Sequence, residues 1–236
     1  MDFGKIIKVK PILFNTEMVQ VILEDWKTAT RRAVKGFIPS DAMWGYTHFT
    51  PKGCISCRGT FADGYGEKFF KLPCMPGDIL YIRETWAFKC CIDCIHGGDD
   101  EECRIAKIPI IYEDEDSISD GCYIYRADYP CPERVVWRPS IHMPKAAARL
   151  WLKVTDVRVE RLQDMRLDDF LNEGVTLRSE SFNDPENAYL QARSVFIAIW
   201  DSTVKKADVC WYSWSADPWV WVIEFERCNK PAEGNC

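Results

Sequence analysis

The sequence predicts an α+β fold built mainly from antiparallel strands, and three observations carry that expectation. Period-two alternation recurs at 79–86, at 148–160 and at 219–226, the pattern of strands with one buried face. Helical periodicity is confined to three short stretches. Turn signals such as Pro76-Gly77-Asp78 and the glycine at 174 separate these segments. The sum is about six or seven strands with three short helices, best arranged as a curved or closed antiparallel sheet.

In chain order, Lys5 to Leu13 reads as a strand, placed at an edge by Pro11. Asn15 or Thr16 caps a helix with Met18, Val21, Ile22 and Trp26 on its apolar face. The basic run after it turns into a strand toward Val34. Residues 39–75 read as loop-rich, with Gly, Cys and scattered aromatics. Ile79 to Trp86 is a strand, and residues 88–120 read as a cysteine-rich insertion. Cys122 to Arg126 and Val135-Val136-Trp137 are further strands. Ala148 to Glu160 is a long strand with a bend or bulge near Asp156. Leu167 to Glu173 forms a short helix stopped by Gly174. Asp184-Pro185-Glu186 starts another, with Tyr189, Ala192, Val195, Phe196, Ile199 and Trp200 as a buried stripe. In the last strand Trp219, Trp221, Ile223 and Phe225 form a fully apolar face.

The chain has 236 residues, 47% of them hydrophobic, with ten tryptophans, enough to bury a core. No apolar run reaches the roughly 20 residues of a membrane span, and no signal-peptide pattern opens the chain. A cytoplasmic protein with no membrane partner is expected. The net charge of −6 and the lack of a helix-turn-helix signal argue against duplex DNA as a partner. Charge is uneven, however. Residues 1–40 carry seven basic side chains against four acidic ones, so a single-stranded or small nucleic-acid ligand stays open.

The densest chemistry lies in Asp25-Trp26-Lys27-Thr28-Ala29-Thr30-Arg31-Arg32. A lysine near a hydroxyl is a base-and-nucleophile pair, and two guanidiniums suit a phosphate or planar carbonyl. The bland reading is a basic segment complementing a helix dipole. Twelve cysteines form a second signal. Cys54-x₂-Cys57 and Cys91-x₂-Cys94 have the spacing of zinc knuckles, with Cys90, Cys103, His48 and His96 as substitutes. Such knuckles also occur as free cytosolic thiols. Trp86, Tyr125 and Trp137 are candidates for stacking a base, or else core aromatics. His142 reads as a structural hydrogen-bonder.

The basic threonine run, Pro76-Gly77-Asp78, Leu171-Asn172-Glu173-Gly174 and Val220-Trp221-Val222-Ile223-Glu224-Phe225 occur in an order that resembles the ASCH superfamily, a small β-barrel fold related to PUA domains. The chain looks closest to a group of uncharacterised phage and prophage proteins. They share runs like Lys10-Pro11-Ile12-Leu13-Phe14-Asn15, Arg83-Glu84-Thr85-Trp86, Trp137-Arg138-Pro139-Ser140-Ile141-His142-Met143-Pro144, Val157-Arg158-Val159-Glu160-Arg161-Leu162-Gln163 and Pro218-Trp219-Val220-Trp221-Val222. The resemblance implies one ASCH-like domain over residues 1–228, with an insertion at about 88–120 and a disordered tail at 229–236.

It also implies RNA-related ligand binding in the barrel cleft and, in small bacterial members, hydrolysis of the acetyl amide of N4-acetylcytidine. The positions that match those enzymes are Lys27, Thr30 and Glu173, as base, nucleophile and proton-relaying carboxyl. Arg31, Arg32, Arg83 and Trp86 complete the expected ligand-binding set. Two departures stand out: the long separation of Lys27 from Glu173, and an arginine at 31 where the small enzymes carry an aliphatic residue. No cofactor is required by this reading. The other reading is a non-catalytic phage protein that uses the fold for protein–protein contact.

Overall fold

In the computed structural model, residues 7–90, 108–111, 118–128, 135–177 and 184–231 are described. They form eleven strands: β1 (Val9–Leu13), β2 (Ala29–Ala33), β3 (Met43–Gly45), β4 (Cys54–Phe61), β5 (Gly64–Lys71), β6 (Ile79–Arg83), β7 (Trp86–Cys90), β8 (Ile108–Ile111), β9 (Ile118–Tyr125), β10 (Trp151–Arg161) and β11 (Trp219–Cys228). The α-helices are α1 (Thr16–Leu23), α2 (Leu167–Asn172), α3 (Pro185–Thr203) and α4 (Val209–Tyr212). The strands make a five-stranded sheet of order β1-β6-β10-β11-β2 and two three-stranded sheets, β3-β4-β5 and β7-β9-β8.

The fold is thus α+β with mostly antiparallel sheets. The expected closed barrel is not present among the described residues, where the strands fall into three separate sheets. The helix expectation is also corrected, since the described residues contain four α-helices and α3 runs for 19 residues rather than a few turns. No helix among the described residues is long and apolar enough to cross a membrane.

Contacts divide the chain into two compact units, the first made of Met1–Lys10, Val21–Leu80 and Trp151–Cys236, the second of Pro11–Gln20 and Tyr81–Leu150. In the first, β10 pairs with β11 and β11 with β2, all antiparallel. The register of β10 slips between Val154 and Asp156, the bulge that the broken alternation foretold. Val220 and Val222 on β11 are fully buried against Phe170 of α2 and Phe196 and Trp200 of α3. Each such side chain contributes roughly 1.5–3 kcal/mol when withdrawn from water. Proline at the first position of α3 and Asp184, whose carboxylate accepts the Glu186 N–H at 3.0 Å, start that helix as expected.

Residues 39–75 are not the loop that their glycines and cysteines suggested. They build the β3-β4-β5 sheet, with β4 burying Ile55, Cys57 and Phe61. Cysteine here acts as a small core residue, which a reading of it as a ligand hides. In the second unit, β7 and β8 flank β9, so the span expected as an insertion contributes strands. Residues 84–85 interrupt the expected strand at 79–86 between β6 and β7. Val135 to Trp137 is not a strand, and a single bridge from Arg138 to Trp86 lies beside it. Trp86, Met143 and Ala147 form one buried cluster of that unit, and Ala87 with Ile124 another.

Candidate functional site

Two helix ends bring Lys27 and Glu173 together. At the end of α1, Asp25 adopts φ 59°, the Asp25 N–H donates to Ile22 O (3.1 Å) and the Trp26 N–H donates to Val21 O (2.9 Å). This is a Schellman stop with aspartate in the left-handed position, a conformation aspartate tolerates better than most residues. It turns the chain so sharply that Trp26, expected on the buried face, is 56% exposed, while Val19 and Ile22 are the buried pair of α1. At the end of α2, the Gly174 N–H donates to Leu171 O (2.8 Å) and the Val175 N–H donates to Phe170 O (3.1 Å), with Gly174 at φ 87°. A Cβ at 174 would lie 2.7 Å from Val21 Cγ2 and 3.2 Å from Lys27 Cβ. Glycine is therefore required twice, by conformation and by space.

The two stops place Lys27 and Glu173 in an isolated antiparallel bridge. The Lys27 Nζ donates to Glu173 Oε2 at 2.5 Å and to the Glu173 carbonyl at 2.7 Å, across 146 residues of sequence. Their side chains are 1% and 7% exposed. Burial holds the Lys27 amine below the ordinary lysine pKa; the Glu173 carboxylate opposes this, and the charges of Arg32 and Arg31 add to it.

Arg31, with a side chain 1% exposed, extends the cluster. Its Nη2 donates to Asp169 Oδ1 at 2.7 Å and lies 3.5 Å from Glu160 Oε2, and its Nη1 lies 3.5 Å from Glu173 Oε1. Its buried Nε has no hydrogen-bond partner among the described residues. Asp169 also accepts the Arg166 N–H at 2.9 Å. Burial raises its pKa most, but that bond together with Arg31 outweighs burial and holds the carboxyl below its usual range. Arg158 bonds to Glu160 and Glu224 beyond.

The strand register separates the remaining candidates. Thr30 stands opposite Ile223, Arg31 opposite Val222 and Arg32 opposite Trp221, so Thr30 and Arg32 share one face of β2 and Arg31 takes the other. Thr30 is buried. Arg32 is exposed, yet crowding by protein depresses its pKa, while Glu173 opposes the shift. Arg83 and Trp86 belong to the second unit. Arg83 Nη1 donates to Ile141 O at 3.2 Å. Trp86 is 5% exposed, packed on Met143 and Ala147, with Arg138 5.2 Å from its ring centre. Tyr125 donates its hydroxyl to Ala147 O at 2.7 Å, and Trp137 lies under Arg126.

Cys54 and Cys57 lie on one unbroken strand, opposite Lys71 and Lys68. Three residues apart, they face opposite sides of it, so one ion held by both requires β4 to break. Burial, then Asp41, raises the Cys57 thiol pKa, which favours the protonated form. Cys91 and Cys94 lie outside the described residues, as do His96 and Cys103. Among the described residues no group of three or more His, Cys, Asp or Glu side chains is placed to hold a metal ion.

Asp169 and Glu160 escaped the reading of the sequence. Asp169 lies four residues before Glu173 on the same short helix, a spacing that puts both carboxylates on one face. That signal was available once Glu173 had been singled out. Glu160 comes into range only through the β10–β11–β2 pairing. Comparison with protein families, with characterised proteins and with solved structures finds no match.

Proposed function

We propose that the Lys27–Glu173 cluster is the ligand site of an ASCH-type protein that binds RNA or a modified nucleobase and hydrolyses an N-acylated cytidine amide. The observation that supports this most is the buried contact between Lys27 and Glu173, the two positions that the ASCH resemblance pairs. A desolvated amine loses its proton more readily than an exposed one and so serves as a base. In the proposed reaction Lys27 takes the Thr30 hydroxyl proton as that oxygen attacks the acyl carbon. Glu173 relays the proton to the cytidine nitrogen as the carbon–nitrogen bond breaks. Water then releases the acyl group from Thr30 as a carboxylic acid. Arg32, exposed beside the pair, meets a phosphate or carbonyl of the ligand.

A second reading, a non-catalytic interaction module, draws support from the charge matching around Arg31. Asp169, Glu160 and Glu173 leave the buried cations compensated, as in a structural ion cluster. Incubation with N4-acetylcytidine, followed by chromatography for cytidine and acetate, separates the two. Turnover that is lost in Thr30→Val and Lys27→Met supports hydrolysis. Absence of turnover in the wild-type protein rejects it. Turnover that persists in Thr30→Val makes water the nucleophile.

A further inference from the structure

The β3-β4-β5 sheet has an outer face that the Lys27 cluster does not use. The register sets its rows: Met43, Arg58 and Glu67 in one; Gly45, Ser56 and Phe69 in the next; Thr60 beside Tyr65 and Cys54 beside Lys71 at the ends. Tyr65 is 67% exposed and Phe69 42%. They lie four residues apart on β5, ~13 Å along the strand. Beyond Gly45, Tyr46 and Phe49 are also exposed. A Cβ at Gly45 would meet nothing within 4 Å.

Aromatic rings left in water on a sheet face call for an occupant, and the charges indicate which. Residues 41–71 carry Lys52, Arg58, Lys68 and Lys71 against Asp41, Asp63 and Glu67, a local +1 in a chain of net −6. The three acids are engaged, Asp41 with the Thr60 hydroxyl at 2.8 Å, Asp63 with Lys68 at 3.5 Å and Glu67 with the Ser56 hydroxyl. Neither Arg58 nor Lys71 has an ion-pair partner among the described residues. Cations on the same face as exposed rings suit a flexible polyanion with flat bases. A second copy of the chain fits less well, because a two-fold contact would press the same cations together.

We propose that this face is a platform for single-stranded RNA, with bases stacked on Tyr65 and Phe69 and phosphates held by Arg58 and Lys71. The choice of RNA over DNA rests on the ribonucleoside reading of the Lys27 site; the platform itself does not. The test is fluorescence anisotropy of the full chain with a labelled short oligouridylate, and with oligothymidylate of equal length. Wild-type protein should bind oligouridylate more tightly than its DNA counterpart. Tyr65→Ala and Phe69→Ala should each weaken binding by about 5- to 100-fold. Arg58→Gln and Lys71→Gln should each reduce the logarithmic salt slope by about 0.7.

All four side chains are exposed, and an unchanged urea midpoint confirms that each variant folds. Hydrolysis of free N4-acetylcytidine should not change in Tyr65→Ala, which separates failure of the platform from failure of the Lys27 chemistry. The proposal is overturned if wild-type protein does not bind the oligouridylate, or if the aromatic variants bind it as wild type does. Tighter binding of the DNA oligomer overturns it too, as does a wild-type dimer in sedimentation that Tyr65→Ala dissociates.

Discussion

The first unit buries Lys27 against Glu173, and the second buries Glu84 under Arg149. The Glu84 side chain is 1% exposed and receives Arg149 Nε at 2.9 Å and Nη2 at 3.0 Å, while Asp128 holds the outer nitrogen of the same arginine. The Arg149 guanidinium also lies 4.0 Å from the Tyr125 ring centre. Both sites remove a carboxylate and a cation from water, yet they differ in what they can do. A guanidinium keeps its proton under all ordinary conditions, and its fork fills both carboxylate oxygens. A lysine amine is a point donor whose proton is lost when burial outweighs attraction. The arginine site therefore keeps its cation, and the lysine site is the one whose cation can lose its charge during a reaction.

The largest expected effect comes from breaking the lysine pair. Lys27→Met leaves Glu173 buried without its shortest contact, facing Arg31 at 3.5 Å and the charge of Arg32, and should cost about 3–5 kcal/mol of stability. Urea denaturation measures it. The double variant Lys27→Met/Glu173→Leu should recover most of that loss, because Arg31 retains Asp169 and Glu160 and no charge is stranded. A single-variant cost under about 1 kcal/mol would mean that water solvates the pair in solution, and the contrast with the Arg149 clamp would vanish.

A smaller effect tests how the pair is positioned. Gly174→Ala forces a side chain into the left-handed conformation and against Val21. The expected loss is about 1–3 kcal/mol. If Lys27 and Glu173 are also the reacting groups, turnover should fall by more than the stability loss explains, since the added methyl also presses on Lys27. Unchanged stability would show that the α2 stop has room to shift, and that the bridge is not held as tightly as its geometry implies.

The comparison also shows which parts of the molecule were legible in advance. β10, with its bulge, was readable because alternation is a local property; β11 was readable as a strand from its apolar face, although Val220 and Val222 on the other face are buried as well. Gly174 and Asp184 were readable for the same reason, as each serves a helix end within a few residues. The β3-β4-β5 sheet was not, because its glycines and cysteines mimic a loop when their neighbours across the sheet are unknown. Trp26 was misplaced because a helix of eight residues ends before the periodicity does. Lys27 with Glu173 came from a family likeness, not from spacing. Asp169, Glu160 and the Glu84–Arg149 clamp depend on contacts between distant segments, which no local pattern encodes.

The smallest effects are pH slopes, and they carry opposite signs. Burial depresses the Lys27 pKa in the folded state. Between that lowered value and the ordinary ~10.4 of lysine, the unfolded chain holds a proton that the folded chain lacks, so stability rises with pH. Burial raises the Glu84 pKa, with Arg149 opposing the shift. Between the ordinary ~4.3 of glutamate and that raised value, the folded chain holds the extra proton, so stability falls as pH rises. Urea midpoints measured across both intervals should show a rising contribution at high pH that is lost in Lys27→Met, and a falling one at mildly acidic pH that is lost in Glu84→Gln. If Glu84→Gln leaves the acid limb unchanged, then Arg149 has cancelled the burial penalty and the clamp carries a full charge pair. If Lys27→Met leaves the alkaline limb unchanged, the lysine stays protonated inside the fold, which would remove the base from the proposed reaction while leaving Arg32 and the bound ligand unaffected.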